Sequence, residues 1–400
     1  MIDDILFYSA AYISLFVSVF WLLIFMENRK KKGTLPARHL PSLSLIIPAY
    51  NEGGHLERCV ASLLKQEYPG LRLIIVDDGS TDNTPEIGRR LAQKFGSVMY
   101  VRKRNRGKGA ALNTGLSHVK TEYFGFIDAD TFLSEHALQN MVSYFGTGAA
   151  AVIAVIKPAE PRTLVERMQK VEYMIASFTR KLMSFLNSLY YTPGFALYRT
   201  DVIRNLGGFD EDNLTEDLEI GLRLKNSGYR IENTLDDCAH TVVPRTLRDL
   251  FSQRMRWYRG YIHNSRKYSH MFFSKKHGDL GMFILPVQYL LLAVTIPMLL
   301  IGIYDLASYA TKNVIDAALV GYDFAYFFET TQFNFITPFT FFIAAMLAAF
   351  LLILTVSRRE VREKISPLEY LVYIIAYPFI NLLLWIAAFT HEMLGTKRKW

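Results

Sequence analysis

Several features that mark other protein classes are scarce or missing in this 400-residue sequence. It contains only two cysteines, Cys59 and Cys238, which are far apart and lack metal-ligand spacing. Neither a disulfide framework nor a zinc site is therefore indicated, and each cysteine is expected to be a small core residue. Neither G-x-G-x-x-G nor G-x-x-x-x-G-K-[ST] occurs, since Gly107-Lys108-Gly109 is too short a match. The sequence thus argues against a dinucleotide-dependent oxidoreductase and a P-loop ATPase.

Apolar residues make up 51% of the sequence, and they are concentrated in four segments long enough to cross a bilayer. The segments are residues 5–26, 283–304, 336–356 and 368–390. Their cores contain no charged residue, whereas transporters and channels usually place polar groups inside the membrane. A transporter acting alone is therefore disfavoured.

The charges beside the apolar segments predict on which side of the membrane the neighbouring residues lie. Asp3 and Asp4 precede the first segment, and the basic run from Arg29 to Lys32 follows it. A secretory signal peptide has the reverse order, so the first segment is interpreted as a membrane helix. The chain is expected to enter the cytoplasm after Met26, as a multi-pass protein of the cell (plasma) membrane.

Later charges continue this topology, except at the end of the chain. The loop between the second and third segments carries four acidic residues but one lysine, which favours the outer side. Residues 357–364 form a charged loop that fits the cytoplasm. A single crossing after this loop would leave the basic residues 397–399 outside, against the same tendency. Pro378 could divide the last segment into a re-entrant or interfacial pair, so the side of the C-terminus stays open.

The formal net charge is +8, which raises the question of an anionic partner. The positive residues cluster beside the apolar segments and in a basic amphipathic segment, residues 245–267. Lipid headgroups and a diphosphate explain this placement better than nucleic acid does.

The middle of the chain alternates short apolar runs with helical patterns. Between the first two runs, for example, Leu56, Val60, Leu63 and Leu64 recur at helical spacing. Such alternation predicts an α/β domain with a mixed, mostly parallel sheet covered by helices on both faces. The predicted strands are residues 42–47, 71–76, 98–101, 123–127 and 151–155.

Polar motifs follow three of these strands, where α/β domains bind their ligands. They are Pro48-Ala49-Tyr50-Asn51-Glu52, the acidic stretch from Asp77 to Asp82, and Asp128-Ala129-Asp130. Two carboxylates one residue apart can face a hard cation such as Mg²⁺ or Mn²⁺ together with a diphosphate. The competing interpretations are a solvated turn for Asp128-Ala129-Asp130 and an Asx-type turn for Asp77 and Asp78. Asp82 is expected to be a helix cap.

Two further motifs lie beyond the predicted strands. Thr215-Glu216-Asp217 opens a helix, where Thr215 could be the N-cap and acidic residues commonly complement the helix dipole. Gln253-Arg254-Met255-Arg256-Trp257 lies in the basic amphipathic segment, which could rest on anionic lipid. Arginine also suits a diphosphate, and tryptophan offers a flat face to a sugar ring.

In this order, the motifs resemble those of family 2 glycosyltransferases with a GT-A fold. More narrowly, the chain is similar to the membrane-integrated synthases of cellulose, chitin, hyaluronan and poly-N-acetylglucosamine. The resemblance runs from about Pro41 to Trp257. It depends on the motifs above together with Gly107-Lys108-Gly109 and Asn113.

The resemblance implies a role for each motif. Asp217 would be the general base, and Asp128 and Asp130 would hold Mg²⁺ or Mn²⁺ at the diphosphate. The residues implied in donor binding are Tyr50, Glu52, Asp77, Asp78, Lys108, Asp128 and Arg256, and those implied in acceptor binding are Glu216, Gln253 and Trp257. Thr192-Pro193-Gly194-Phe195 matches the place of an acceptor site, although its residues differ from the family's.

The implied activity is inverting, metal-dependent transfer of a sugar from a nucleotide-sugar, a UDP-sugar, to a growing polysaccharide that crosses the membrane. The alternative is a glycolipid or polyprenyl-phosphate glycosyltransferase that adds one or a few sugars to a lipid-linked acceptor. A third hypothesis is a basic, membrane-anchored binding module without activity, which the intact carboxylates disfavour. The expected division is residues 1–28 for the N-terminal membrane helix, 41–244 for the cytosolic transferase domain, 245–281 for the basic interface segment and 282–400 for the C-terminal membrane region. The sugar, the linkage and the oligomeric state are not encoded in any motif.

Overall fold

The computed structural model describes residues 2–29, 40–320 and 338–396. The expectations for Lys30–Lys32, for residues 321–337 and for residues 397–399 fall outside these ranges. The chain divides into two compact units. One contains the described residues up to Glu27 and those of 284–356. The other contains the remaining described residues, including the last apolar helix.

The second unit is built on one eight-stranded sheet of the predicted α/β kind. Its strands are β1 (Leu43–Ala49), β2 (Arg72–Asp77), β3 (Val98–Arg102), β4 (Tyr123–Ile127), β5 (Thr131–Leu133), β6 (Ala149–Pro158), β7 (Phe195–Arg199) and β8 (Arg230–Thr241). Their order in the sheet is β3-β2-β1-β4-β7-β6-β8-β5. Strands β5 and β7 run in one direction, and the other six run in the opposite direction.

The strands next to β1 are nearly continuous apolar runs because helices cover both faces of the sheet there. β1 is buried at six of its seven positions. Its register with β2 pairs Ala49 with Asp77, so the polar residues that follow β1, β2 and β4 meet at one edge. The mixed, mostly parallel sheet predicted from the sequence is therefore confirmed.

Among the described residues, nine α-helices lie within or beside this domain. They are α2 (Leu56–Leu64), α3 (Thr84–Lys94), α4 (Lys108–His118), α5 (Ala137–Ser143), α6 (Leu164–Phe185), α7 (Thr200–Asn205), α8 (Glu216–Asn226), α9 (Leu247–Lys267) and α12 (Pro367–Met393), the last of which is the fourth apolar segment. In α2 the buried residues Leu56, Cys59, Val60 and Leu63 follow the predicted helical spacing. A capping box of Thr163 and Glu166 begins α6.

The two cysteines do not share one environment. Cys59 is fully buried in the core, as expected. Cys238 is only partly buried, and its Sγ lies 3.3 Å from Nε2 of His240, so the expectation of a core residue is wrong there. Cys238 lies in β8 close to the edge strand β5, where side chains are less covered.

The first unit consists of the other three apolar segments. These are α1 (Ile2–Asn28), α10 (Leu285–Val320) and α11 (Pro338–Val361), and a short π-helical turn, Leu280–Ile284, precedes α10. With α12, the described residues contain four helices that are long and apolar enough to cross a membrane. Pro378 does not divide α12, which is one continuous helix. Of the two possibilities left open, the helix is therefore continuous, because a proline removes only one backbone donor and helices tolerate that loss where neighbours pack against them.

Candidate active site

Lys108 joins three of the motifs that the sequence analysis singled out. It is the first residue of α4, after Gly107, whose φ of 90° suits glycine. Its Nζ lies 2.6 Å from Oδ1 of Asp128 and 3.1 Å from Oε1 of Glu216. Burial alone would lower the pKa of Lys108, but the charges of Asp128, Glu216 and Asp217 outweigh it and raise the pKa. The ammonium group is therefore held charged among carboxylates that come from β4 and α8.

Asp217 lies in the first turn of α8, next to this cluster. Burial, followed by the charge of Glu216, raises the pKa of Asp217 to about 7. The backbone N–H of Leu218 donates to Oδ1 of Asp217 at 2.8 Å. Both the backbone N–H and the hydroxyl of Thr192 donate to the backbone oxygen of Asp217, at 3.2 and 2.9 Å. A carboxylate with a pKa near neutrality, on a residue whose backbone and side chain are both hydrogen-bonded, is suited to accept a proton.

Three residues that the sequence analysis did not single out hold this motif in place. Nδ2 of Asn264 in α9 donates to Oγ1 of Thr215 at 3.0 Å and to Oδ1 of Asn213 at 3.1 Å. A Cβ on Gly260, one helical turn earlier, would lie 2.4 Å from Oγ1 of Thr215. The only signal for this contact was a glycine inside a helical pattern, which often marks a close approach. Thr215 begins α8 as expected, but its side chain makes no capping bond.

Asp128, Asp130 and Glu52 form a patch of negative charge at the end of β4. Burial, followed by the charges of Asp128 and Glu52, raises the pKa of Asp130 to about 6. Burial also raises the pKa of Glu52, although the hydrogen bond with His55 opposes it. The hydroxyl of Thr131 donates to Oδ1 of Asp130 at 3.1 Å, and no lysine or arginine pairs with Asp130 among the described residues. The three carboxylates are therefore held close together, and positive groups of the protein neutralise their negative charge only in part.

This patch fits a divalent cation that completes its coordination from a ligand. Among the residues that the structure describes, no group of three or more His, Cys, Asp and Glu side chains is arranged as a metal site. Asp128 and Asp130 would supply two oxygens, and diphosphate oxygens and water commonly supply the rest for Mg²⁺ and Mn²⁺. Burial and the neighbouring negative charges raise the pKa of Asp130. A positive charge beside it would therefore stabilise its ionised form.

Asp77 and Asp78, the acidic pair at the end of β2, bind other groups of the protein. Asp77 is fully buried, and it accepts hydrogen bonds from the Ser80 N–H at 2.8 Å and the Tyr100 hydroxyl at 2.6 Å. Asp78 accepts from the Gly107 N–H at 2.7 Å and pairs with Lys103 at 2.5 Å. These contacts hold the loop that leads into Lys108. Both carboxylates therefore support the wall of the site through bonds within the protein.

The turn after β1 completes this side of the site. The hydroxyl of Thr84 accepts a hydrogen bond from the Glu52 N–H at 2.8 Å, and Tyr50 is about half exposed. Asp82 accepts from the N–H groups of Thr84 and Gly53, at 2.9 and 3.0 Å. The N-cap of α3 is Asn83, whose side chain makes no capping bond, so the expectation that Asp82 caps this helix is wrong. Asp82 instead holds the turn just before the helix.

In α9, the buried residue of the Gln253–Trp257 motif is Arg254. Its Nη2 lies 2.7 Å from Oε2 of Glu172 in α6, and its guanidinium lies 4.0 Å from the ring centre of Trp257. Sequence reasoning assigned no role to Arg254, because spacing alone does not show which arginine of the motif faces inward. One face of Trp257 is thus covered within the protein.

Arg256 faces the other way, into an open cavity of about 440 Å³. It is exposed, and it forms no hydrogen bond or ion pair with the residues that the structure describes. The cavity combines basic and apolar side chains, which suits an anionic ligand with an apolar part. Its lining residues are Leu214, Arg248, Phe251, Ser252, Met255, Arg256, Arg259, His391 and Thr396.

Comparisons with known proteins show what the chain is similar to. Residues 44–207 match the model of Glycosyl transferase family 2. A poly-beta-1,6-N-acetyl-D-glucosamine synthase of Staphylococcus aureus is 26% identical over 258 residues, which cover 61% of this chain and 63% of the relative. The enzyme of the same name from Staphylococcus epidermidis is 26% identical over 345 residues, which cover 82% of each.

A solved structure shares the fold. The mannosyltransferase PcManGT of Pyrobaculum calidifontis, in complex with GDP-Man and Mn²⁺, matches with a TM-score of 0.59 at 22% identity. The match covers 88% of this chain and 98% of that protein. Residues 44–207 therefore match the Glycosyl transferase family 2 model on a mixed, mostly parallel sheet, and the described residues of the same chain include four apolar helices.

Proposed function

We propose that the chain is an inverting glycosyltransferase that moves a sugar from a UDP-sugar to a growing polysaccharide at the membrane. The observation that carries this proposal is the position of Lys108, which lies between Asp128 and Glu216 beside Asp217. Three motifs from distant parts of the chain meet there, which supports a donor side and a base in one site. The names of the staphylococcal relatives support a polysaccharide product and make UDP-N-acetylglucosamine the first donor to test.

Asp217 is the proposed general base. The acceptor hydroxyl must lose its proton as it attacks the sugar, and a carboxylate whose pKa burial raises to about 7 can take that proton near neutral pH. The Leu218 N–H holds the carboxylate, and the Thr192 hydroxyl holds the backbone oxygen of the same residue. A single displacement assisted by one base inverts the anomeric centre, so no nucleophilic carboxylate is required.

The donor side is assigned to Asp128, Asp130, Lys108 and Arg256. Asp128 and Asp130 would hold Mg²⁺ or Mn²⁺, which stabilises negative charge on the leaving diphosphate. Lys108 places a second positive charge at the same edge of the sheet. Arg256 is exposed and free to reach a diphosphate, and arginine binds such groups through paired hydrogen bonds.

The remaining assignments follow the same resemblance. Asp77, Asp78, Tyr50 and Glu52 are proposed to surround the nucleotide, with the two aspartates acting through the loop that they hold. The proposed acceptor residues are Glu216, Gln253 and Trp257. The charge pattern of the sequence and the four apolar helices support a plasma-membrane protein with a cytoplasmic catalytic domain.

A donor screen tests the proposal. Purified full-length protein in lipid nanodiscs is mixed with each common UDP-sugar and with GDP-mannose, and the release of nucleoside diphosphate is measured. The expected result is release from one UDP-sugar that stops with a chelator and returns with Mg²⁺ or Mn²⁺. Full activity after exhaustive chelation would remove the metal role of Asp128 and Asp130.

Mass analysis of the product separates the two transferase hypotheses. A ladder of oligomers supports a polysaccharide synthase, whereas a single glycolipid would replace it with the lipid glycosyltransferase. If no donor releases nucleoside diphosphate, the binding-module hypothesis gains and the proposed activity is wrong.

A further inference from the structure

The last apolar helix, α12, has two different faces. Along one face, large apolar side chains recur every three or four residues and are exposed. They are Leu368, Leu371, Ile375, Phe379, Leu383 and Ile386. The opposite face packs on α6 and α9 of the catalytic domain, and it includes the fully buried Ala388. An apolar stripe that is exposed on one side, with a protein surface covering the other side, suits a helix that lies along a membrane beneath the domain.

Charged contacts attach the beginning of α12 to the catalytic domain. Lys157, at the end of β6, pairs with Glu363 at 3.1 Å, just before the helix. Lys170 of α6 pairs with Glu369 in the first turn at 3.4 Å and also donates to the backbone oxygen of Lys364. The side chains of these two lysines are mostly buried. The start of α12 is therefore held on the side of the membrane where the domain lies.

The middle and the end of α12 contact the same domain. Tyr258 of α9 stacks on Trp385 with ring centres 4.4 Å apart, and its hydroxyl donates to Asn381. Near the end, Nε of Arg259 lies 2.8 Å from Oε1 of Glu392, whose side chain is almost fully buried. Contacts to one water-soluble domain thus extend along the whole helix.

These contacts conflict with a crossing of the bilayer. A helix of 27 residues is about 40 Å long, which exceeds the roughly 30 Å of the hydrocarbon core. If α12 crossed, Glu369 and Glu392 would lie on opposite sides, together with the lysine and arginine that pair with them. The polar helices α6 and α9 would then have to cross as well, and their charged residues oppose this.

We infer that α12 lies in the plane of the membrane, with its stripe in the headgroup and acyl boundary on the side of the catalytic domain. The partner of the stripe is the lipid surface itself. Basic residues flank the helix, with Arg358 and Arg359 before it and residues 397–399 after it in the sequence, and they suit anionic headgroups. The positive-inside tendency, applied to the three basic residues that follow the helix in the sequence, also favours this arrangement.

Depth measurements test this inference without using activity. Single cysteines replace Leu371, Phe379 or Ile386 in a Cys238→Ser background, while Cys59 stays because it is fully buried. Each variant carries a nitroxide in anionic lipid nanodiscs, and the ratio of oxygen to nickel-chelate collisions gives its depth. Glu86→Cys, on the exposed side of α3, is the water-facing control.

The expected result is one shallow depth, roughly 5–10 Å, at all three positions. Residues 371 and 386 are about 22 Å apart along a helix. A crossing helix would therefore place Phe379 deepest and the two outer positions nearer opposite surfaces, which would overturn the inference. Spin–spin broadening with poor oxygen access would overturn it too, because the stripe would then face a second copy of the chain.

The side of the C-terminus gives an independent check. A Trp400→Cys variant is treated with a membrane-impermeant maleimide in intact cells and in inverted vesicles, beside Glu86→Cys. Both cysteines are expected to react only in the preparation that exposes the catalytic domain. Reaction of the two cysteines in opposite preparations would show that α12 crosses the membrane.

Discussion

Two acidic pairs follow the strands on either side of β1, yet the structure uses them in opposite ways. After β2, Asp77 and Asp78 receive hydrogen bonds from the protein at 2.6–2.8 Å, and Asp78 also pairs with Lys103. After β4, Asp130 receives hydroxyl bonds at 3.1 and 3.4 Å, and burial raises its pKa to about 6. The first pair is satisfied by the fold, whereas the second keeps capacity for a ligand.

The comparison shows that the sequence of an acidic motif at a strand end does not by itself identify a ligand site. Saturated carboxylates stabilise a loop, and their loss should first affect folding. Carboxylates that the fold leaves under-compensated, including Asp217, should first affect function. Each of the following predictions tests this separation, from the largest expected effect to the smallest.

Asp217→Asn should lower sugar transfer by about 10²–10⁴-fold, because an amide cannot accept the proton of the acceptor. Binding of the nucleotide-sugar, measured by calorimetry, should stay near the wild-type value. The matched control is Asp212→Asn, an exposed residue five positions earlier. Near-normal turnover of the Asp217 variant would refute the base assignment.

Asp130→Asn and Asp78→Asn should shift stability in opposite directions. The folded protein raises the pKa of Asp130 from 3.8 to about 6, so its ionised form destabilises the fold above that pH. At pH 8 with a chelator, removing this charge should add on the order of 1–3 kcal/mol to the free energy of unfolding. Asp78→Asn should subtract about 1–3 kcal/mol, because it disturbs buried hydrogen bonds.

Chemical unfolding of the two variants in detergent measures this difference. The Asp130 variant should also lose metal-dependent transfer. The Asp78 variant, at temperatures where it stays folded, should keep its metal dependence and bind the nucleotide-sugar more weakly, because Asp78 holds the loop before Lys108. If both variants were destabilised equally, the proposed difference between the hydrogen-bonded pair at Asp78 and the ligand-binding pair at Asp130 would be wrong.

Gly260→Ala should lower kcat by about 10²-fold, because the new methyl group would lie 2.4 Å from Thr215 Oγ1 and displace the turn that carries Asp217. Steady-state kinetics should show little change in nucleotide-sugar binding. Gly146→Ala is the matched control, since its Cβ would meet nothing within 4 Å. An equal effect of both substitutions would indicate a general loss of structure.

The pH profile gives the smallest and most specific effect. Asp217 works as a base only when it is ionised, and burial raises its pKa to about 7. The value of kcat/KM should therefore fall about tenfold per unit as the pH drops below about 7. A profile that stays flat down to pH 5 would exclude a base with this pKa.

Sequence patterns were sufficient for the elements but not for the contacts of the site. The apolar runs predicted β1, β2, β3 and β4 within about two residues, because buried parallel strands are continuous apolar segments. Strands β5, β7 and β8 were not predicted. β5 has only three residues, and β7 and β8 follow irregular stretches in which periodicity is weak.

Contacts between distant residues could not be predicted in the same way. The sequence showed a basic helix near residues 245–267, but not that Gly260 and Asn264 hold the turn at Thr215. It also showed an apolar segment after residue 367, but not that the catalytic domain covers one side of it. A sequence pattern shows how apolar a segment is. It does not show which other part of the chain packs against that segment, and both contacts depend on this.

The sequence by itself determined the α/β domain, the four apolar helices and the positions of the acidic motifs, because periodicity and hydrophobicity are local properties. The tertiary structure alone decided which carboxylates are satisfied. The donors to Asp77 and Asp78 come from Tyr100 and Gly107, 23 and 29 residues away. Lys108 likewise meets Asp128 and Glu216 only because the sheet brings β4 and α8 to one edge.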